Sequence, residues 1–183
     1  NGKTYRFKPN AEIVLKAGMS HNYNIKIGDE IDYAIDDNST YHVYTAEGLN
    51  KWAEVAGNDG ASCMLEADIT MPAPADGGSN WMPVGYFNRT FDGNGKSITG
   101  LVVNSTEDNA GFIENNKGTV KNLTLKDAKI SGNNYVGGVV GENYDGCTIE
   151  NCHVTGASVI TGSSHSVGGV AGFNGGNILA CHV

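Results

Sequence analysis

The sequence predicts an all-β protein whose main part is a right-handed parallel β-helix, a solenoid with an N-terminal capping helix and a short preceding strand segment. Three segments begin at Gly118, Cys147 and Gly176, so they repeat with a period of 29 residues (147 − 118 and 176 − 147). A constant period of this size is the signature of a repeat architecture. The 26 glycines among 183 residues, without a collagen period, indicate many turns and few long helices.

Composition and charge exclude several classes of function. The formal net charge is −8, whereas a nucleic-acid partner requires a basic patch that meets its phosphates, so we expect no nucleic-acid partner. No apolar run approaches the roughly 20 residues of a membrane-spanning helix. The chain begins at Asn1 without a signal peptide and stops at Val183 inside a repeat, so we expect the natural protein to be longer.

The first 44 residues are predicted to precede the β-helix. Apolar residues alternate or cluster in 4–7, 12–15 and 23–27, which is typical of strands. Two or three strands do not form a stable domain alone, so we assign residues 1–30 to the remnant of a preceding β-sandwich. Residues 31–44 are polar and are predicted to be a linker.

A helix is predicted from Thr45, a suitable N-cap, to the glycine-rich segment 57–60. Residues at i, i+3 and i+4 spacing form its apolar face: Leu49, Trp52, Ala53 and Val55 or Ala56. We expect this helix to cover the N-terminal end of the β-helix, because an open end of a stacked sheet invites further strands. The β-helix domain is assigned to residues 45–183.

Short elements follow the helix. Residues 63–71 are predicted to be a strand, 72–78 a surface loop with two prolines, and 82–85 a strand edge. The segment Asp92–Gly95 resembles the start of a calcium loop, but the later ligand positions, including a bidentate glutamate, are absent. We therefore interpret this segment as a tight turn.

Four repeat units are predicted, the first beginning at Lys96, which lies 22 residues (118 − 96) before Gly118. The predicted inward columns are Ile98, Val120, Ile149 and Ile178; Leu101, Leu123, Cys152 and Cys181; and Val103, Leu125, Val154 and Val183. Residues three apart can both point inward only if the chain bends between them. Gly100, Asn122, Asn151 and Ala180 occupy that position. Glycine and asparagine tolerate the left-handed backbone of such a bend, and stacked asparagines can hydrogen-bond along the column.

Residues 136–143 and 167–174 read VGGVVGEN and VGGVAGFN, and 110–113 is a partial copy. At these residues the chain resembles the GLUG-motif repeats of bacterial surface proteins. The resemblance extends upstream through 81–85 and 91–101 and covers about residues 45–183. It implies a large secreted or surface-anchored bacterial protein, a class that includes adhesins and some IgA-cleaving proteases. No HExxH motif is present, so the resemblance does not carry protease activity to this chain.

Residues 1–28 resemble the last strands of a fimbrillin-like domain. The residues that carry this resemblance are 5–7, 13–18 and 23–25. It implies a fimbrial or surface-adhesin protein.

Cysteine and histidine side chains provide the first candidate sites. Cys152 and Cys181 share an inward column, so we expect buried thiols that act as small apolar fillers. His153 and His182 follow them and are expected to point outward. Two ligands without a carboxylate in register make a poor metal site. We therefore expect no metal and no cofactor.

Aromatic residues in or near turns are the candidate ligand-binding residues, because sugar and protein surfaces both use such rings as platforms. They are Trp81, Tyr86, Tyr135, Tyr144 and Phe173. The alternative is that these rings cap coil ends or pack under loops.

The predicted function is a non-catalytic adhesion or interaction module on the outer-membrane-associated, extracellular surface of a bacterium. Its expected partners are host glycans or matrix proteins, or other surface or fimbrial subunits. One alternative is a carbohydrate-active β-helix enzyme, but Glu114, Asp127, Glu142, Asp145 and Glu150 do not share a column at matching register. The other alternative is a structural spacer or fimbrial subunit whose N-terminal strands pair with another chain.

Overall fold

The computed structural model describes residues 5–6, 31–57 and 60–183 of the chain. Apart from the backbone of the short strand at 5–6, the expectations for residues 1–30, including the fimbrillin-like resemblance, lie outside the described residues. The described strands are β1 (Tyr5–Arg6), β2 (Tyr33–Asp36), β3 (Tyr41–Val43), β4 (Cys63–Leu65), β5 (Ile69–Thr70), β6 (Val84–Phe87), β7 (Thr90–Asp92), β8 (Ser97–Thr99), β9 (Val102–Asn104), β10 (Ile113–Asn116), β11 (Thr119–Lys121), β12 (Thr124–Lys126), β13 (Lys129–Gly132), β14 (Val136–Gly137), β15 (Val140–Asn143), β16 (Thr148–Glu150), β17 (His153–Thr155), β18 (Val159–Gly162), β19 (Val167–Gly168), β20 (Ala171–Asn174) and β21 (Asn177–Leu179). The helix α1 is Ala46–Ala56, and a 3-10 helix spans Ala75–Gly77.

Successive coils pair through equivalent strands. The sheets run in the orders β1-β2-β3-β4-β7-β11-β16-β21, β6-β10-β15-β20, β5-β8-β12-β17, β9-β13-β18 and β14-β19. Every pairing from β3 onward is parallel. This pattern confirms the predicted parallel β-helix.

The interior confirms the columns of the later units and corrects the first. Val120 pairs with Ile149, and Leu125 pairs with Val154, as predicted. Ile98, however, pairs with Leu125, and the residue opposite Val120 is Phe91. The physical reason is the turn after β7, which is two residues longer than the equivalent turn after β11. The 22-residue match therefore aligned segments of different sheets.

Val103 belongs to a different column as well. It pairs with Ile130 in the sheet β9-β13-β18 rather than lying beside Leu125. Both Val103 and Ile130 are buried. Leu101 is also buried, immediately before this sheet.

The bends use left-handed backbone. Asn122, Asn151 and Ala180 have φ angles of 54°, 50° and 51°, as predicted for this column. Asn151 Nδ2 donates a 2.9 Å hydrogen bond to Asn122 Oδ1, which confirms the amide stack. Gly100 also has a positive φ, 74°, but it follows Thr99 in the register of Lys126, so it belongs to the bend that contains Asp127.

A second asparagine ladder lies inside the solenoid. Asn116 Nδ2 donates to Asn143 Oδ1 at 2.8 Å, and Asn143 Nδ2 donates to Asn174 Oδ1 at 2.7 Å. Asn116 and Asn143 are fully buried. The column lies at the C-terminal ends of β10, β15 and β20, and the residue in the same register at the end of β6 is Phe87. The sequence analysis missed this ladder, although Asn143 and Asn174 are the last residues of the two motif copies.

The helix α1 forms as predicted. Thr45 Oγ1 accepts the backbone N–H of Gly48 at 3.2 Å, and Gly57 is the C-cap. Leu49, Trp52 and Ala56 are fully buried. The Trp52 ring lies 5.0 Å from Phe91 and 5.7 Å from Phe87, measured between centroids. The helix therefore covers the interior of the first coil.

The linker prediction for residues 31–44 was wrong. Strands β2 and β3 form an antiparallel hairpin, and β3 pairs in parallel with β4. Asp36 Oδ1 accepts the N–H groups of Asn38 and Thr40, both at 2.9 Å, and so closes the turn. His42 is buried, with Nδ1 2.5 Å from Glu66 Oε1. The sequence analysis missed these strands because their polar side chains hydrogen-bond with one another and so give no apolar pattern.

The predicted strand over residues 63–71 is divided in two. β4 and β5 belong to different sheets, and the chain turns between Leu65 and Ile69. Both Leu65 and Ile69 point into the core, where they are buried.

Candidate ligand-binding face

The sheet β6-β10-β15-β20 positions the candidate side chains. Its register aligns Tyr86, Asn115, Glu142 and Phe173 in one column across four coils. Tyr86 is 57% exposed and Phe173 is 47% exposed. Because neighbouring coils are spaced by about 4.8 Å, the two rings mark a span of roughly 14 Å along the solenoid axis.

A lysine joins the first three coils. Lys117 follows β10, and its Nζ lies 4.6 Å from the ring centroid of Tyr86 and 4.6 Å from that of Tyr144. Each cation–π contact at an exposed site contributes about 0.5–1 kcal/mol. The ammonium therefore holds one tyrosine from the coil before it and one from the coil after it. The sequence analysis missed Lys117, because only its position between the two rings makes it part of this surface.

A second pair of rings lies at the other end of the column. The Tyr135 and Phe173 centroids are 5.6 Å apart, with an interplanar angle of 68°, which is an edge-to-face arrangement. Tyr135 has a left-handed φ of 52°. Gly172 allows this geometry, because a methyl group there would lie 2.2 Å from the Tyr135 carbonyl carbon. We call the surface formed by Tyr86, Lys117, Tyr135, Glu142, Tyr144 and Phe173 the aromatic face.

Two carboxyl groups lie at the aromatic face: Glu142 is part of it, and Glu114 is on the adjacent strand β10. Burial raises the pKa of Tyr144, and contacts with Glu142 and Tyr86 raise it further. Burial also raises the pKa of Glu114, whose register partner on β15 is Gly141. Glu142 is one position further along β15, so the two carboxyl groups are on adjacent strands but not in one column.

Trp81 does not belong to this face. The prediction that it is an exposed platform was wrong, because the ring is 2% exposed. It stacks on Phe112 with centroids 5.0 Å apart, and its Nε1 donates a 2.8 Å hydrogen bond to the Phe112 carbonyl. A tryptophan with both its ring and its N–H satisfied is a core residue.

The cysteines and histidines occupy the predicted sides of their strand. Cys152 is fully buried, Cys181 is partly buried, and both are free thiols. Burial raises the pKa of Cys152 to about 12. The His153 and His182 rings stack with centroids 5.0 Å apart. Residues 31–57 and 60–183 contain no group of three or more His, Cys, Asp and Glu side chains placed to hold a metal ion.

The segment Asp92–Gly95 is a tight turn, as predicted, with positive φ at Asn94 and Gly95. Burial opposes ionisation of Asp92, but hydrogen bonds from Asn122, Asn94 and Lys121 lower its pKa. Its carboxylate is committed to these partners, at 3.0, 2.8 and 3.3 Å respectively. The carboxylate thus closes the bend between β7 and β8.

The aromatic face presents several rings on one side of the solenoid. Four of the five predicted aromatic residues contribute rings to it, three of them well exposed. Such rings contact the apolar face of a sugar or a protein side chain, while their hydroxyl groups hydrogen-bond. No helix within the described residues combines the length and apolar character needed to cross a membrane.

Comparisons with known proteins agree with this fold. The model of the GLUG motif matches residues 132–160. Halomucin from Haloquadratum walsbyi (strain DSM 16790 / HBSQ001) is 34% identical over 116 residues, which cover 59% of this chain and 1% of halomucin. A solved structure of a candidate immunoglobulin A1 protease from Bacteroides ovatus superposes with a TM-score of 0.52 at 20% identity, over 66% of this chain and 38% of that chain.

These matches define the fold and its motif. At 20% identity, the Bacteroides ovatus structure supports the architecture alone. The chain spans small parts of both relatives, 1% of halomucin and 38% of the solved chain. The motif and the halomucin match indicate a protein of the cell surface or the secreted space. The chain is a parallel β-helix repeat protein that carries the GLUG motif.

Proposed function

We propose that this chain is a non-catalytic interaction module of a bacterial surface protein, located at the outer-membrane-associated cell surface, and that it binds host glycans through the aromatic face. The observation that carries the proposal is the register that aligns Tyr86 and Phe173 on one face. Large side chains exposed to solvent on a regular sheet stabilise the interior little. Their alignment across coils favours an extended ligand that runs along the solenoid.

The geometry supports a ligand of several sugar units. The roughly 14 Å between the first and fourth coils accommodates a short oligosaccharide. Tyr86 and Tyr144 are held by Lys117, and Tyr135 is held edge-on by Phe173. Rings that are already fixed lose little side-chain entropy on binding, which favours affinity.

A glycan array, together with immobilised matrix proteins and isolated fimbrial subunits, tests this proposal. We expect a defined set of glycans to bind, and both Tyr86→Ala and Phe173→Ala to weaken binding. Each ring that stacks on a sugar contributes about 0.5–1.5 kcal/mol, so each loss is about two- to tenfold. Met82→Ala is the matched control, because Met82 is 83% exposed and lies outside the aromatic face. Binding by matrix proteins or fimbrial subunits alone would replace glycans as the proposed ligand.

A second candidate function is glycoside cleavage. The observation that favours it is the raised pKa of Glu114, a property that general acids of glycosidases use, next to the strand that carries Glu142. Release of reducing ends from a polysaccharide, abolished by Glu114→Gln and retained by the control Glu107→Gln, would establish cleavage. We expect no release, because neither carboxyl group lines the grooves beside loops 74–78 and 38–41.

A further inference from the structure

A groove runs across the sheet β9-β13-β18, on a different side of the solenoid from the aromatic face. The loop that contains Pro74 and the 3-10 helix forms one wall, and the outward side chains of the sheet form the floor. The groove has a volume of about 530 Å³, which is within the usual range for sites that bind small molecules.

Two in-register columns line the floor. The first is Val102, Lys129 and Val159, and the second is Asn104, Ser131 and Thr161. Each column crosses three coils and so measures roughly 10 Å. The floor therefore repeats an apolar row and a hydrogen-bonding row side by side, with one cation at the centre of the apolar row.

Among the described residues that line the groove, Lys129 is the only one with a charged side chain. Lys129 is exposed, and none of the ion pairs within the described ranges includes it. The chain has an overall charge of −8, so an unpaired cation among otherwise uncharged lining residues is a local exception. Such a group complements a ligand that carries a carboxylate.

The second column, formed by Asn104, Ser131 and Thr161, favours acidic ligands that also carry hydroxyl groups. Asn104 Nδ2 donates to the Gly77 carbonyl at 2.9 Å, and Ser131 Oγ donates to Asn104 Oδ1 at 3.1 Å. This network fixes Asn104 and Ser131, whose hydroxyl oxygen can still accept, and the Thr161 hydroxyl lines the groove beside them. The backbone groups of β13 are used in both neighbouring pairings and lie in the sheet plane. An extended peptide would find no backbone partner on this floor, whereas a ligand rich in hydroxyl groups finds partners throughout.

We propose that this groove binds an oligosaccharide of two or three sugar units that contains one uronic acid. One carboxylate pairs with Lys129, the sugar hydroxyl groups hydrogen-bond with Ser131 and Thr161, and the C–H face of a ring lies on Val102 and Val159. Linked pyranose rings advance along a chain by a distance similar to the coil spacing, so the uncharged units beside the uronic acid lie over Val102 or Val159. The site is independent of the aromatic face, and it requires no catalytic group.

Titration calorimetry of the intact chain with cellobiouronic acid, a disaccharide that contains one uronic acid, tests this inference, with its methyl ester as the uncharged comparison. We expect the acid to bind and the ester to bind about tenfold more weakly, the loss typical of one charge-assisted hydrogen bond. Added salt should weaken binding of the acid, since Lys129 is exposed. Equal binding of acid and ester, or no binding at millimolar concentrations, would overturn the proposal.

Binding measurements on substituted chains test whether the ligand lies in this groove. Lys129→Gln should reduce affinity for the acid about tenfold and leave the ester unaffected. Lys126→Gln is the matched control, since Lys126 is also exposed but belongs to the sheet β5-β8-β12-β17. Val159→Glu should abolish binding by placing a like charge on the floor. Equal losses in both lysine variants, or tighter binding of a short peptide with one aspartate, would contradict the assignment. Tyr86→Ala separates this site from the aromatic face, because it should leave binding of the acid intact.

Discussion

The side-chain amide of Asn116 donates a hydrogen bond of 2.8 Å to Asn143 in the next coil, and both residues are fully buried. Asn143→Ala removes the acceptor of Asn116 and the donor to Asn174. A buried polar group left unsatisfied costs about 1–3 kcal/mol, so we expect the free energy of unfolding in urea to fall by about 2 kcal/mol. Asn38→Ala, at an exposed turn, should change it little. A stable Asn143→Ala protein would show that the ladder is dispensable.

The capping helix gives a second prediction. Trp52 is fully buried against Phe87, Phe91 and Phe112. Trp52→Ala should reduce the free energy of unfolding by about 3–5 kcal/mol and expose the end of the first coil, which calorimetry and the binding of an apolar dye can detect. Lys51→Ala on the outer side of the helix is the control, and we expect a change within about 0.5 kcal/mol. Equal effects of the two substitutions would contradict the burial of the apolar face of the helix in the core.

Cysteine reactivity should differ between sites. Burial raises the pKa of Cys152 to about 12, so at pH 8 the reactive thiolate is about one part in ten thousand. The pKa of Cys147 is also raised by burial, but this residue is only half-buried. In the native protein, iodoacetamide should therefore modify Cys147 well before Cys152, as peptide mass analysis would measure. Unfolding in urea should equalise the two rates; early modification of Cys152 in the native state would contradict its burial.

The same thiol predicts a loss of stability at alkaline pH. The folded-state pKa of Cys152 is raised to about 12, whereas an unfolded cysteine has a pKa of about 8.5. The unfolded chain therefore loses its proton first, so stability is complete below about pH 8.5 and declines as pH rises toward 12. The contribution of one such group is at most about 1.4 kcal/mol per pH unit.

Urea unfolding between pH 8.5 and 10 measures this slope. Cys152→Ala should make it shallower, while Cys147→Ala should change it less because Cys147 is more accessible to water. An unchanged slope in Cys152→Ala would assign the alkaline loss to other groups, such as the buried Cys63, whose pKa burial also raises.

Sequence periodicity predicted most of the solenoid because each coil repeats one environment. The spacing of Val120 and Leu123 around Asn122 requires a bend, and that requirement follows from local geometry alone. The first coil was misaligned because a two-residue difference in a turn leaves the apolar pattern almost unchanged. Only backbone pairing distinguishes Phe91 from Ile98 as the neighbour of Val120.

The candidate site was less predictable, since exposure depends on neighbours that are distant in sequence. Trp81 and Tyr86 are both aromatic residues near a strand edge, yet Phe112 covers one and leaves the other open. Lys117 carries no sequence signal of its own. Its contact with two tyrosines exists because β10 stacks between β6 and β15, at register offsets of 29 (113 − 84) and 27 (140 − 113) residues.

The column that contains Tyr86, Asn115, Glu142 and Phe173 places four chemically different side chains on an almost identical backbone path. Its spacing comes from main-chain pairing and therefore does not depend on which side chain points outward. The exposed residues Tyr86 and Phe173 can be exchanged while the interior stays unchanged, whereas Asn115 is buried and accepts a hydrogen bond from Asn109. Main-chain pairing therefore sets the shape of this face, and the exposed side chains set its chemistry independently, coil by coil.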